Sequence, residues 1–246
     1  MSQEAPWGMQ IVVRYDKVHP PRKVDVAEAS ARAAVTLLAH PLCEPGGPWH
    51  EAVEHWRDTA IRKLVRRARG RRWEEVQELA GVTLTQDGPQ GWGQAAARAL
   101  PPAPVRPLPA QLAKTQVEGT FFPDGDTLAP SPARMSQPGP EGTVGAGVVL
   151  GSASMSTHAL VEIGVTPEHE MSAGKLCAQV AHAAQLAWES PAMSEATRQA
   201  WRDQGYAVRV MWPSPQEWAS ETWRVRVVDA GLTELDGPTH TTRARW

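Results

Sequence analysis

Cysteine is nearly absent from this 246-residue sequence, which has only Cys43 and Cys177, far apart in the chain. They offer neither a disulfide framework nor a CxxC metal-ligand pair, so we expect a reducing compartment, no metal and no other cofactor. Phenylalanine and tyrosine are as scarce, at two each, and the core must be built from alanine, branched aliphatics and some of the 11 tryptophans. No run approaches the ~18 apolar residues that cross a bilayer. The opening MSQEAPWGMQ has no basic stretch followed by an apolar one. These absences lead us to expect a cytoplasmic protein without membrane contact. A basic excess is missing too: the net charge of -2 and pI near 6.5 argue against a general nucleic-acid binder, because phosphate binding needs cations.

What is present is unevenly distributed. Proline and glycine are densest between residues 101 and 150, which hold ten of the 22 prolines and six of the 20 glycines; no apolar period is sustained there, so this stretch reads as a linker. It separates residues 7–100 from residues 151–246. Within it, LPAQLAKTQVEG and Phe121-Phe122 are apolar enough to dock on a neighbouring domain. Before it, GMQIVVRY reads as a strand and VDVAEASARAAVTLLAH as an Ala-rich helix. A helix around WHEAVEHWRDTA, the alternating IRKLVRRAR, a helix RRWEEVQEL and a strand GVTLTQ follow. After it come a strand HALVEIGV, an Ala-rich helix SAGKLCAQVAHAAQLAW, a helix SEATRQAWRDQG, a strand YAVRVMW, a helical turn PSPQEWASE and a strand WRVRVVDAG.

The order of elements repeats, and residues repeat with it. Trp56-Arg57-Asp58 and Trp201-Arg202-Asp203 precede corresponding strands, and EASARAA parallels QVAHAA. An internal duplication follows. Alternating strands and helices of this kind indicate an α/β architecture with helices covering a sheet, present twice.

Charge is also clustered. Arg62, Lys63, Arg66, Arg67, Arg69, Arg71 and Arg72 place seven of the 25 basic residues in one short segment. A solvated face without a partner is the plain reading of such a run; a site for nucleic-acid phosphates is the functional one.

Two stretches could carry chemistry. In Gly174-Lys175-Leu176-Cys177-Ala178-Gln179-Val180-Ala181-His182-Ala183, the residues Lys175, Gln179 and His182 fall at i, i+4 and i+7, one face of a helix. A lysine in a first helical turn opposes the helix dipole, so something else must hold it there. In VRVVDAGLTELDGPTHTT, Asp229 ends an apolar strand, and Ala230-Gly231 allow a tight turn before Thr233. Thr239, Thr241 and Thr242 suit an edge strand.

These two stretches, in this order, resemble the signatures of type II peptidyl-tRNA hydrolases, which carry Gly-Lys-x-x-x-Gln-x-x-His-Ala and later Asp-Ala-Gly-x-Thr with a further threonine. The match covers about residues 158–242, with Trp201 and Gly205 between the signatures. The resemblance implies hydrolysis of the ester joining a peptide to the 3′ end of tRNA, without metal. It also implies that Lys175, Asp229, Thr233 and Thr241 are the catalytic positions, with Gln179 and His182 in support. A carboxylate can orient or deprotonate water while a cation stabilises the oxyanion at the ester carbonyl.

The Arg and Asp that the family carries after its first strand are lacking from HALVEIGVTPEHE. They stand instead in the first half, as Arg14 and Asp16. Asp25 there occupies the place of Lys175, so residues 7–100 read as a degenerate copy whose basic segment serves tRNA phosphates. The resemblance implies the family's fold, a mixed β-sheet with helices on both faces, and its homodimeric assembly, so the duplicated α/β chain is expected to be a fused pseudo-dimer and a monomer. Two other readings remain: a tRNA- or ribosome-associated binding protein without catalysis, and a hydrolase of another ester or amide.

Overall fold

The β-branched run of WGMQIVVR forms β1 (Trp7–Arg14), whose interior is buried. It leads through α1 (Lys23–Leu38) and α2 (His50–Thr59) to β2 (Lys63–Ala68), which lies parallel to β1 as a helical crossover requires. Helix α3 (Arg71–Gln77) and the antiparallel strands β3 (Val82–Gln86) and β4 (Ala95–Ala99) complete this half, giving the order β2-β1-β4-β3. In the computed structural model, residues 5–59, 61–117, 119–124, 154–231, 234–235 and 237–246 are described. Of the linker segment, residues 118 and 125–150 lie outside that set. The described part contains a short strand β5 (Ala103–Pro104) beside β1 and a helical turn α4 (Ala110–Ala113). It is tied down by Leu112 and Phe122, both buried.

The second half runs β6 (Val161–Val165), α5 (Ala173–Glu189), α6 (Glu195–Asp203), β7 (Val208–Met211), α7 (Pro215–Trp218), β8 (Val225–Asp229) and β9 (Thr239–Arg245). Its sheet has the order β7-β6-β9-β8, with β6 parallel to β7 and antiparallel to β9. Strand for strand this matches the first sheet. The protein is thus an α/β structure with two mixed sheets packed against helices.

Alanine explains how the two meet. Helices α1 and α5 pack on each other, with Ala27, Ala31, Ala34, Ala181, Ala183 and Ala184 wholly buried; side chains this small let backbones approach closely. Helix α1 also reaches β7 and α5 reaches β2, so each helix touches the other half's sheet. One continuous core spans both halves.

Two strands depart from expectation. AAARA has no β-branched residue and no strand pattern, yet it is β4, between β1 and β3. The Cβ-only side chains fit beneath α1, and burial decides over propensity. The Thr-rich β9 is interior, between β6 and β8, rather than at an edge. Its Thr241 and Thr242 are wholly buried but have hydroxyl partners on α5.

Candidate active site

Helix α5 begins at a capped end. Ser172 Oγ accepts from Lys175 N at 3.2 Å, and Glu234 accepts from both the amide and the hydroxyl of Ser172. The cap puts Lys175 in the first turn, where the dipole is unfavourable; Asp229 compensates. Lys175 Nζ lies 2.7 Å from Asp229 Oδ2, with the two side chains only 9% and 14% exposed. Asp229 sits at the last residue of β8, and its Oδ1 accepts from Gly231 N at 2.9 Å. Gly231 has φ +72°, and a Cβ there would come 2.5 Å from the backbone of Gly237, so this turn requires glycine.

One turn along α5, Gln179 Nε2 donates to the same carboxylate oxygen at 2.7 Å. The Gln179 Oε1 accepts from Thr241 Oγ1 at 2.6 Å, and its backbone carbonyl accepts from Thr242 Oγ1 at 3.0 Å. Adjacent strand residues ordinarily face opposite sides of a sheet. Here both threonines reach α5 because β9 carries a bulge: Val227 pairs with Thr242 and Val228 with His240, leaving Thr241 as the extra residue. In the first half the register runs without interruption, from Val82 opposite Ala99 to Gln86 opposite Ala95.

Burial by itself would raise the pKa of Asp229. The hydrogen bond from Lys175, the Gly231 amide, the Lys175 charge and the Gln179 bond outweigh it and hold the carboxyl below its ordinary value. It is therefore ionised near neutrality and weakly basic. His182, on the same face of α5, is pushed down to about 3, chiefly by burial, then by the Lys63 charge, with Asp229 opposing. It is a neutral imidazole with little affinity for a proton. Lys63 is lowered to about 7 by burial, with Glu189 alone opposing.

These groups line a cleft of about 810 Å³. Lys175, Gln179, His182 and Asp229 come from the second half; Arg62, Lys63 and Leu64 come from the edge strand β2 and the residue before it. Residues Val117, Gly119 and Thr120 add a third side. Thr233 lies outside the described residues. Of the sequence-predicted set, Lys175, Asp229, Gln179 and Thr241 form one hydrogen-bonded group, and His182 lines the cleft without joining it.

The structure divides the seven basic residues of the first half. Arg62 and Lys63 line the cleft. Arg66 is buried, donating to Gln10 Oε1 at 2.7 Å, and Arg67 lies over the Tyr15 ring. Arg71 and Arg72 pair with Glu75, and Arg69 is exposed. Arg14 and Asp16 have local partners: Arg14 donates to Gln94 O, and Asp16 accepts from the amides of Val18 and His19.

Three participants were not anticipated. Thr242 holds the Gln179 backbone. Gln185 accepts from Lys63 Nζ, and Glu189 accepts from Gln185 Nε2 at 3.0 Å. Extending the helical spacing of Lys175, Gln179 and His182 by three residues and then four reaches Gln185 and Glu189, so the signal was present.

The corresponding places in the first half hold other groups. Asp25 stands at the place of Lys175, in a wholly buried pair with Arg22 at 2.6 Å. Arg32, at the place of His182, donates to Gly205 O, Thr85 O and Gln86 Oε1. Comparison with known protein families, curated proteins and solved structures found no match to this chain.

Proposed function

We propose that the chain is a peptidyl-tRNA hydrolase, cleaving the ester between a peptide or N-blocked amino acid and the 3′ end of tRNA, and that it is a fused pseudo-dimer. One observation carries the reading. Lys175, Gln179, Asp229 and Thr241, which the resemblance singled out from distant parts of the sequence, form one hydrogen-bonded group at the wall of a cleft.

The geometry suggests the division of labour. Asp229 accepts from Lys175, Gln179 and Gly231 N, so it is too well stabilised to be a strong base. Its role is to orient the attacking water and hold Lys175. The Lys175 ammonium stabilises negative charge as it develops on the ester carbonyl oxygen. Gln179 and Thr241 keep the carboxylate in one rotamer. His182 forms part of the wall.

The pseudo-dimer reading draws on the matched strand orders and on reciprocal contacts of α1 with β7 and α5 with β2, the pattern of an isologous interface. The wholly buried Trp56 and Trp201 add to it. Each donates its indole N–H to the carbonyl six residues ahead, Arg62 O at 3.1 Å and Ala207 O at 2.8 Å.

The test is release of the acyl group from N-acetyl-aminoacyl-tRNA by purified protein. Asp229→Asn and Lys175→Ala are expected to slow it by ~100-fold or more. Full activity in both variants would sink the site assignment. A wild type that binds tRNA but releases nothing would select the non-catalytic binding reading.

A further inference from the structure

Lys63 is an unusual residue to find where two halves of a chain meet. Its Nζ donates to the neutral amide oxygen of Gln185 and lies 4.9 Å from the centre of the Trp56 ring. Among the described residues no carboxylate lies within ion-pair distance of it. The nearby Glu189 is already engaged: its Oε1 accepts from Arg57 Nε at 2.9 Å and Nη2 at 2.6 Å. Lys175, on the same cleft, has Asp229 as its counter-ion. The cation of Lys63 is thus held in place by neutral acceptors and an aromatic face, arrangements that position a charge without cancelling it.

The opposite side of the molecule shows that packing does not call for a lysine here. In the sheet register Lys63 pairs with Met9 of β1, as Val208 pairs with Val161 of β6. Val208 is therefore its counterpart. The helix positions corresponding to Gln185 and Glu189 are Val35 and Ala39. Val35 and Val208 are both wholly buried, so the two counterpart positions are apolar, and the polar contact of that crossing is made elsewhere, by Val210 N to the Glu28 carboxylate. Only on the side that carries the Lys175–Asp229 pair does the strand of one half present a cation to the helix of the other. Burying an uncompensated lysine costs stability, and its pKa is drawn down to about 7 for that reason. At the opposite crossing the buried carboxylate of Glu28 is met by donors, Val210 N and Ser156 Oγ; the Lys63 cation meets only a neutral amide oxygen and a ring face, beside the Lys175–Asp229 pair, which indicates a ligand that supplies the missing anion.

We propose that Lys63, carried on β2 of the first half, is the phosphate-binding residue of the second half's cleft, so that one composite site is built from both halves of a single chain. Its ligand is a phosphodiester of the single-stranded acceptor end, close to the ester. This rests on the tRNA-ester reading above for the identity of the ligand. The first half then acts in cis as the wall of the other half's site, and its lack of the Lys175 and Asp229 equivalents is compatible with that task.

The experiment compares wild type, Lys63→Met and Arg226→Ala, the last removing an equal charge from an exposed residue paired with Glu221 outside the cleft. Binding of deacylated tRNA and of an oligoribonucleotide ending in CCA is measured across a salt series, with acyl release and thermal melting of each variant alongside. Lys63→Met keeps the unbranched stem and removes the ammonium, and it is expected to stay folded with an unchanged or raised melting temperature. Its Kd for both probes and its KM are expected to rise about 10-fold, with a much smaller change in kcat. Its slope of log affinity against log salt is expected to fall by about 0.7, one single-strand phosphate contact, while Arg226→Ala keeps the wild-type slope. Gln185→Leu separates contact from scaffold: it removes the strut and leaves the cation, so it is expected to keep the wild-type slope. An unchanged Kd and slope in folded Lys63→Met would overturn the proposal while leaving the hydrolysis reading intact. An equal slope change in Gln185→Leu would also overturn it, marking Lys63 as a structural strut. A wild type that releases no acyl group, but binds both probes through Lys63, would remove the hydrolysis reading and leave this one standing.

Discussion

Gln179 Nε2 donates to Asp229 Oδ2 across 2.7 Å, and Thr241 holds it to that role by occupying the amide oxygen. Gln179→Glu exchanges the donor for a second carboxylate, which repels Asp229 and raises its pKa. Acyl release is expected to fall at least ~10-fold, and the acid limb of the kcat/KM profile to move to higher pH. Gln179→Ala is expected to lose activity with a smaller move. Profiles that coincide with wild type would show that Asp229 is not the group whose ionisation governs the rate.

The two neighbouring threonines should separate in their effects. Thr241→Val strips the partner from the Gln179 side chain, and Thr242→Val strips one from its backbone carbonyl. Each leaves a buried acceptor short of a donor, and each is expected to cost about 1–3 kcal/mol in denaturant unfolding. Only Thr241→Val frees the Gln179 amide to rotate, so only it is expected to lower activity by more than the stability loss explains. Equal activities of the two folded variants would contradict the bulge-based assignment.

A third prediction concerns Glu28, wholly buried on α1, whose carboxylate accepts from Val210 N and Ser156 Oγ across the two halves. Burial, opposed by hydrogen bonds from Ser154, Val210 and Ser156, raises its pKa from 4.5 to about 7. Between those values the folded protein keeps a proton that the unfolded chain has lost. The contribution of Glu28 to stability therefore falls as pH rises from 4.5 to 7, by up to about 3 kcal/mol. Glu28→Gln keeps an acceptor for Val210 N and does not titrate. It is expected to gain stability relative to wild type between pH 5 and pH 8, a comparison in which the opposite titration of His182 cancels. A difference between the two proteins that is the same at both pH values would contradict this.

A fourth prediction is a monomer by light scattering at micromolar concentration. In the proposed pseudo-dimer the two halves already pack on each other within one chain, α1 against α5, so no second copy is needed. A stable homodimer would remove this reason for reading the halves as a fused pair.

Several features were legible from local pattern. The β-branched runs around Ile11, Ile163 and Val227 form strands, the Ala-rich segments form α1 and α5, and the common order of elements reappears as two sheets of matching strand order. The helical spacing of Lys175, Gln179 and His182 placed them on one face, and all three line the cleft. Local pattern failed at Ala95–Ala99, where a helix-favouring composition forms an interior strand, because pairing with β1 and β3 beneath α1 outweighs a few tenths of a kcal/mol of propensity per residue.

What the sequence alone determined is what short-range chemistry controls: which segments alternate, where chains turn, and which residue types stand at matching points of two similar halves. Tertiary structure decided which residues share a site. The seven basic residues, clustered on paper, point to different partners because alternate residues of β2 face opposite sides of its sheet and Arg71 and Arg72 lie on α3. Lys63 meets Gln185, 122 residues away, only because β2 is an edge strand against which the other half's helix packs. Thr241 and Thr242 face the same way only because one unpaired residue interrupts β9. Each of these depends on pairing register and on the approach of distant elements, and a linear pattern carries neither.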